Sequence, residues 1–187
     1  MKQLVVLIGC AVVLLGFVGC QSTNKRVEVI IEDGGQFPEF LVGTWKANKG
    51  GWEIVFEPDG TISSAVIPLG RTKVKPGQTT VVPMKLGGKG VYKAGNWLVQ
   101  YSPVSRELTV EIVIESFRAQ IGPSAVKGST RDYLTGTVSE DGKLWDVAWL
   151  SVPKYIVDIP ERRNQELPID PYYNEAKTVL FEKVVEN

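Results

Sequence analysis

The chain of 187 residues contains no histidine, and its only two cysteines, Cys10 and Cys20, lie within the first 20 residues. Without an imidazole it can form neither a Ser-His-Asp triad nor a Cys-His dyad, and it offers no histidine to a metal. Beyond residue 20 there is no thiol, so a disulfide framework and a redox CxxC motif are excluded there. The 21 basic and 21 acidic residues give a formal net charge of zero. This balance argues against a nucleic-acid partner.

The first 20 residues have the layout of a secretory leader. Lys2 provides a short positive start, and a mostly apolar run from Leu4 to Val18 follows. This run is shorter than the about 20 apolar residues that a membrane-spanning helix needs. Residues 1–19 are therefore predicted to be a signal peptide that is removed.

Phe17-Val18-Gly19-Cys20 resembles the lipobox of bacterial lipoproteins. The resemblance implies cleavage before Cys20, transfer of a diacylglyceryl group to its thiol, and acylation of the new amine by a fatty acid such as palmitate. Two acyl chains are sufficient for stable anchoring. Gln21, rather than aspartate, follows the cysteine. By resemblance to enterobacterial sorting, this implies that in a cell with two membranes the protein is anchored in the outer membrane and faces the periplasm. Cys20 is thus the predicted lipidation site, and residues 20–26 are predicted to form a tether. The membrane is the first predicted partner.

Beyond residue 26 the apolar residues repeat with a period of two. Residues 52–56 and 106–117 alternate apolar with polar side chains, and the tryptophans at 145 and 149 lie on one face of a third such segment. This alternation is typical of half-buried antiparallel strands. Strands are predicted near 27–32, 41–47, 51–57, 61–67, 79–86, 89–93, 96–101, 106–117, 131–138, 143–151 and 177–184.

Turn residues separate these strands. Glu57-Pro58-Asp59-Gly60, Ala94-Gly95-Asn96, Glu140-Asp141-Gly142 and, more weakly, Lys49-Gly50-Gly51 predict hairpins. Sequential hairpins favour an antiparallel meander, so residues 27–187 are predicted to form one all-β domain, closed as a barrel or folded as a β-sandwich. Two segments interrupt the meander. They are a long polar loop at 68–78 and an irregular Pro-rich flap at 153–175, with short helical turns considered near 122–128 or 161–176.

Gly43-Thr44-Trp45, followed by residues 52–56 and by Asp59-Gly60-Thr61, resembles the opening of the lipocalin-like β-barrels of the calycin group. The resemblance implies a lipocalin-like barrel with Gly43 and Trp45 as a structural plug at its floor. Five further aromatic residues should then point inward, namely Trp52, Trp97, Tyr101, Trp145 and Trp149. They either fill the interior or line a pocket for a small apolar ligand.

Charge is distributed unevenly along the chain. Residues 60–106 contain seven basic and no acidic residues. Within the predicted loop, Arg71, Lys73 and Lys75 form a candidate contact for an anionic envelope component. The alternative is that such lysines pair with glutamates of neighbouring strands, which contributes little per pair.

The acidic residues predict neither a metal site nor a catalytic site. Asp132, Asp141 and Asp146 lack the spacing of a cation-binding loop. Glutamates four residues apart on one strand lie about 13 Å apart, too far for a glycosidase pair. No cofactor is predicted either.

Together these patterns predict a lipid-anchored cell-envelope lipoprotein that binds a small apolar ligand or an envelope component without catalysis. The alternative is a structural or assembly lipoprotein with a filled barrel that acts through its surface. A hydrolase would require two carboxylates that converge from different strands.

Overall fold

The computed structural model describes residues 26–84, 87–121, 124–158 and 175–185. These residues form a 12-stranded sheet and two short 3-10 turns, Glu39–Leu41 and Leu69–Arg71. The all-β prediction is confirmed. The strands are β1 (Val27–Ile31), β2 (Gly43–Ala47), β3 (Glu53–Phe56), β4 (Ile62–Ile67), β5 (Thr72–Val74), β6 (Thr79–Pro83), β7 (Lys89–Ala94), β8 (Trp97–Ser102), β9 (Glu107–Ile121), β10 (Ser124–Val138), β11 (Leu144–Asp158) and β12 (Lys177–Lys183).

The sheet joins two antiparallel meanders through the last strand of the chain. Its order is β1-β8-β9-β10-β11-β12-β2-β3-β4-β5, with β6 attached to β7 and β7 attached to β9. β12 pairs with β11 on one side and with β2 on the other, so it connects the two meanders. β1 pairs with β8 in parallel, which makes the sheet mixed rather than purely antiparallel.

The sheet is not closed into a barrel, so the predicted closure is wrong, while the sandwich alternative is consistent with the structure. The sheet can stay open because of the strands at its edges. β5 is only three residues long and pairs with β4, and β6 pairs with β7 alone among the strands described here. Short edge strands expose few unpaired N–H and C=O groups, so the sheet can leave them open at little cost.

Three of the four predicted hairpins are confirmed, at 49–51, 57–60 and 140–142. In the turn between β3 and β4, the Asp59 carboxylate accepts hydrogen bonds from the Thr61 N–H at 3.0 Å and the Thr61 hydroxyl at 2.6 Å. Gly60 has a φ of 80°, and a Cβ on it would lie 2.8 Å from the side chains of Phe37 and Val29. This position therefore requires glycine for both conformation and space.

The predicted hairpin at Ala94-Gly95-Asn96 is wrong. β7 and β8 both run antiparallel to β9 along the same edge, where they pair with residues 114–119 and 107–111. At the junction the Gly95 N–H donates to the Val113 carbonyl at 2.9 Å. The glycine thus marks an irregularity within one extended edge, as glycine in a strand often does, rather than a chain reversal.

A single apolar core lies on the inner face of the sheet. In β9, Leu108, Val110, Ile112 and Ile114 are completely buried, while Glu111 between them forms an ion pair on the outer face. Burying one such aliphatic side chain contributes about 1.5–3 kcal/mol. The alternation predicted for this strand is therefore a main source of the stability of the fold.

Strands occupy three segments for which other conformations were predicted. β5 lies inside the predicted loop at 68–78, and β10 begins at Ser124, where a helical turn was considered. β11 continues through Pro153 to Asp158, whereas the flap was predicted to start at 153. β12 pairs only with residues 144–149 of β11, so beyond them β11 has no second strand partner among the described residues, and such an edge position tolerates proline.

Several sequence predictions fall outside the described residues. They are the signal peptide 1–19, Cys20 with all of the 20–26 tether except Arg26, and the part of the flap from 159 to 174.

Candidate functional site

A cavity of about 280 Å³ lies where the inner face of the sheet meets the turn that follows β4. Its walls come from Ile67–Gly70, from Phe117 of β9, and from side chains of β10 and β11. Glu175 and Lys177, both exposed, line it from the start of β12. Ligand pockets typically range upward from about 300 Å³, so this volume lies just below that range and limits a ligand to a small molecule.

Asp132 lines this cavity and is only 4% exposed. As alternate residues of β10, Thr130, Asp132 and Leu134 all face inward. The Trp149 indole N–H donates to Asp132 Oδ1 at 2.9 Å, and the Thr130 hydroxyl donates to Oδ2 at 3.2 Å. Burial raises the pKa of Asp132, while hydrogen bonds from Ser151, Trp149 and Thr130 oppose this rise.

The carboxylate of Asp132 has no basic partner in the described part of the chain. The ion pairs found there are Lys46–Glu53, Lys93–Glu115 and Arg131–Glu111, and none of them reaches the cavity. A buried charge without a counter-charge is costly. Whenever Asp132 is ionised, the buried wall of the cavity therefore contains a negative charge with which no described basic side chain forms an ion pair.

Trp149 connects this carboxylate to an aromatic wall. Its ring meets that of Trp52 edge-to-face, with 5.7 Å between centroids and 87° between planes. The Lys177 Nζ lies 5.5 Å from the centroid of the Trp149 ring, within the about 6 Å range of cation–π interactions. Tyr155 and Phe117 add two more aromatic side chains to the lining. The cavity thus combines aromatic surfaces with one buried carboxylate.

The structure places the five predicted ligand-binding aromatic residues in two environments. Trp52, Trp97, Tyr101 and Trp145 are at most 2% exposed and pack in the core, and only Trp149 of the five lines the cavity. The indole N–H of Trp97 donates to the Val113 carbonyl at 3.1 Å, and that of Trp145 to the Gly136 carbonyl at 3.2 Å. Four of the five therefore fill the interior, which was one of the two predicted roles.

Trp45, the predicted plug, is completely buried, and its indole N–H donates to the Leu41 carbonyl at 2.8 Å. Gly43, at the start of β2, has a φ of 115°, a conformation that other residues rarely adopt. Because the sheet does not close, Trp45 packs against an open sheet rather than across the floor of a closed barrel.

The three basic residues of the candidate polyanion contact are exposed. Lys73 lies in β5 opposite Val66, and Arg71 ends the preceding 3-10 turn, two residues before it. Lys75 follows the same strand. None of the three takes part in an ion pair with another described residue.

The three aspartates that were considered as cation ligands lie apart. Asp146 is exposed on the outer face of β11. Asp141 lies in the turn between β10 and β11, where hydrogen bonds from the Ser139 hydroxyl at 2.6 Å and the Lys143 N–H at 3.1 Å lower its pKa. Across the described ranges, no group of three or more histidine, cysteine or acidic side chains could hold a metal ion.

Sequence reasoning did not identify Asp132 as the polar centre of a pocket. The signal was present in the alternation of β10, which places Asp132 on the same face as Leu134. Trp149 and Tyr155, which line the same cavity, belong to β11. Because they are far from Asp132 along the chain, the sequence alone does not show that the three side chains come together.

The described residues include no helix that is long and apolar enough to cross a membrane. Comparison of the chain with known protein families, with curated proteins and with solved structures finds no match.

Proposed function

We propose that this protein binds a small, largely apolar ligand in the cavity at the end of its core, without catalysing a reaction. The observation that carries this proposal is the 280 Å³ cavity, whose wall combines the aromatic rings of Trp149, Tyr155 and Phe117 with one buried carboxylate. Ligand pockets typically pair an apolar lining with a few polar groups that fix the orientation of the ligand.

The packing around the cavity supports the same proposal. Protein interiors contain few voids larger than a water molecule, and the neighbouring core is filled by four fully buried tryptophans. The polar and aromatic side chains of the cavity wall, Phe117, Thr130, Asp132, Trp149, Ser151 and Tyr155, stand on β9, β10 and β11, which are paired along most of their length. Sites on paired strands hold their geometry better than sites on loops.

The test fills the cavity and measures binding of a neutral aromatic dye. Leu69, a half-buried residue in the lining, is replaced by tryptophan, and the matched control is Val104→Trp on an exposed turn away from the cavity. Aminoanthracene fluorescence should rise with the unmodified chain and with Val104→Trp, and should fail to rise with Leu69→Trp. Equal responses of all three chains would contradict binding in this cavity.

We also propose that the chain is a lipoprotein of the cell envelope, anchored through acyl chains on Cys20 and directed to the periplasmic face of the outer membrane. The support is the lipobox-like sequence before Cys20, and Cys10 provides a matched control within the same leader. Cys20→Ala should move the protein from the membrane fraction to the soluble fraction, whereas Cys10→Ala should leave it in the membrane. A cleaved Cys20→Ala protein that stays in the membrane fraction would contradict lipid anchoring at this residue.

A second candidate function is a structural or assembly role through the surface. It is favoured by the exposed Arg71, Lys73 and Lys75, which form no ion pair with any described residue. Replacing Lys73 and Lys75 by glutamate should abolish co-sedimentation with an anionic envelope polymer, while dye binding in the cavity is kept. Unchanged co-sedimentation would remove this candidate.

A further inference from the structure

We infer that the ligand of this cavity is an organic cation, a primary ammonium group attached to an apolar or aromatic body. This inference rests on the proposed function, because it assigns the ligand class of the same cavity. The structural reason is the combination of a buried, uncompensated carboxylate and an aromatic ring that already has an ammonium group over its face.

The first step is the charge of the cavity. Among the described residues, Asp132 is the only aspartate, glutamate, lysine or arginine that is buried, and no basic side chain of the described ranges pairs with it. The remaining buried polar residues, Ser64, Thr72 and Thr130, are uncharged. A ligand cation would supply the missing counter-charge, and charge-assisted hydrogen bonds are the strong ones.

The second step is the way in which the carboxylate is held. Trp149 donates to one oxygen at 2.9 Å and Thr130 to the other at 3.2 Å. The Thr130 hydroxyl also lies 3.3 Å from that of Ser151. These donors fix the plane of the carboxylate, while each carboxylate oxygen can accept more than one hydrogen bond. A primary ammonium, with three donors, fits the acceptor sites that remain.

The third step is the aromatic wall. Lys177 Nζ lies 5.5 Å from the centroid of the Trp149 ring, so the chain's own ammonium group already uses this face. Tyr155 and Phe117 line the same cavity and offer apolar contact to the body of a ligand. The volume of about 280 Å³ limits that body to a small ring system or a short chain.

The charges at the rim act in opposite directions. Lys177 repels a second cation, whereas Glu175 attracts it, and both are exposed and therefore screened by solvent. The buried carboxylate is screened much less, so it decides the sign of the ligand that the cavity prefers.

The experiment compares three probes of nearly equal shape: phenethylammonium, phenethyl alcohol and phenylacetate. Binding to the purified full-length chain at pH 7 is followed by chemical-shift titration of the Trp149 indole N–H, whose signal is identified with Trp149→Phe. The ammonium should bind about tenfold more tightly than the alcohol, because a hydrogen bond to a charged group is worth about that factor. Phenylacetate should bind most weakly.

Two variants and one control separate the contributions. Asp132→Asn keeps the shape and removes the charge, so the ammonium should lose its tenfold advantage over the alcohol. Lys177→Met should tighten ammonium binding about twofold to threefold relative to the alcohol, the size typical of exposed like-charge pairs. The control Asp146→Asn, on the exposed outer face, should change neither.

The outcomes distinguish the inference from the proposed function. If aminoanthracene enters the cavity but the alcohol or phenylacetate binds as tightly as the ammonium, the cation inference is wrong and ligand binding stands. The inference is also overturned if Asp132→Asn retains the preference for the ammonium. If the dye and all three probes fail to bind, the proposed function itself is refuted.

Discussion

The buried Asp132 should make the free energy of unfolding of this protein depend on pH, and Asp132→Asn should remove this contribution. Burial places the folded-state pKa of Asp132 above the unfolded value of 3.8. Between these two values the folded chain holds a proton that the unfolded chain has lost, so the free energy of unfolding falls as the pH rises. Below the unfolded value the penalty is absent, and above the folded value it is complete.

The effect of replacing Asp132 on the free energy of unfolding follows from the balance between burial of its carboxylate and the hydrogen bonds that this carboxylate accepts. Each tenfold change in the acid dissociation constant on folding corresponds to about 1.4 kcal/mol. Asparagine in place of Asp132 keeps an oxygen that accepts from Trp149 and gains an amide that can donate to the Thr130 hydroxyl. At neutral pH the variant should therefore be more stable than the unmodified chain. Asp132→Ala, which leaves the indole N–H unpaired, should instead cost about 1–3 kcal/mol.

The assay is urea denaturation of the full-length chain, Asp132→Asn and Asp146→Asn, repeated from pH 4 to pH 8. The stability advantage of Asp132→Asn over the unmodified chain should be constant above the folded-state pKa of Asp132 and should shrink as the pH falls from there toward the unfolded value. Asp146 is exposed, so its variant should follow the unmodified chain. A difference between Asp132→Asn and the unmodified chain that stays constant over this range would refute the reasoning.

Three further predictions concern the fold. Gly60→Ala should lower the free energy of unfolding by more than about 2 kcal/mol in the same denaturation assay, because the new Cβ adds a clash to a positive φ. The control Gly34→Ala, at a φ of 72° with open space around it, should cost about 1 kcal/mol. Ile112→Ala should lower the free energy of unfolding by about 2–5 kcal/mol, because Ile112 is completely buried. Ile156→Ala, at a position 48% exposed, should change it by no more than about 0.5 kcal/mol. Equal costs would contradict the assignment of the two faces. Glu115→Gln breaks an exposed ion pair of 2.7 Å and should cost less than about 1 kcal/mol, with the difference disappearing in high salt.

Local patterns of the sequence predicted much of the fold. The alternation in residues 107–115 and the turn at Asp59-Gly60 depend on neighbours along the chain, and both are confirmed. The junction at Gly95 was misjudged because glycine and asparagine favour a reversal and a bulge alike, and only the pairing with β9 decides between them. The parallel partner of β1 could not be predicted, because β8 lies far along the chain.

The site was harder to predict than the fold. Alternation along the strands correctly identified the aromatic residues that point inward. It does not tell which of them lie in the filled core and which lie at its end. Trp52 and Trp149 touch each other, and only Trp149 lines the cavity. Asp132 becomes informative once β10 and β11 are in register, because Ser151 then lies directly opposite it.

The parallel pairing of β1 with β8 also determines how the domain would carry mechanical load. Five residue pairs, from Val27 with Trp97 to Ile31 with Tyr101, hold β1 at the edge of the sheet. The Arg26 carbonyl accepts a further hydrogen bond from the Trp97 N–H at 2.9 Å. A pull on the preceding chain along the axis of β1 loads these bonds together in shear, whereas a pull across the sheet opens them one after another. The domain should therefore resist tension from its N-terminal side best when that tension runs along the strand.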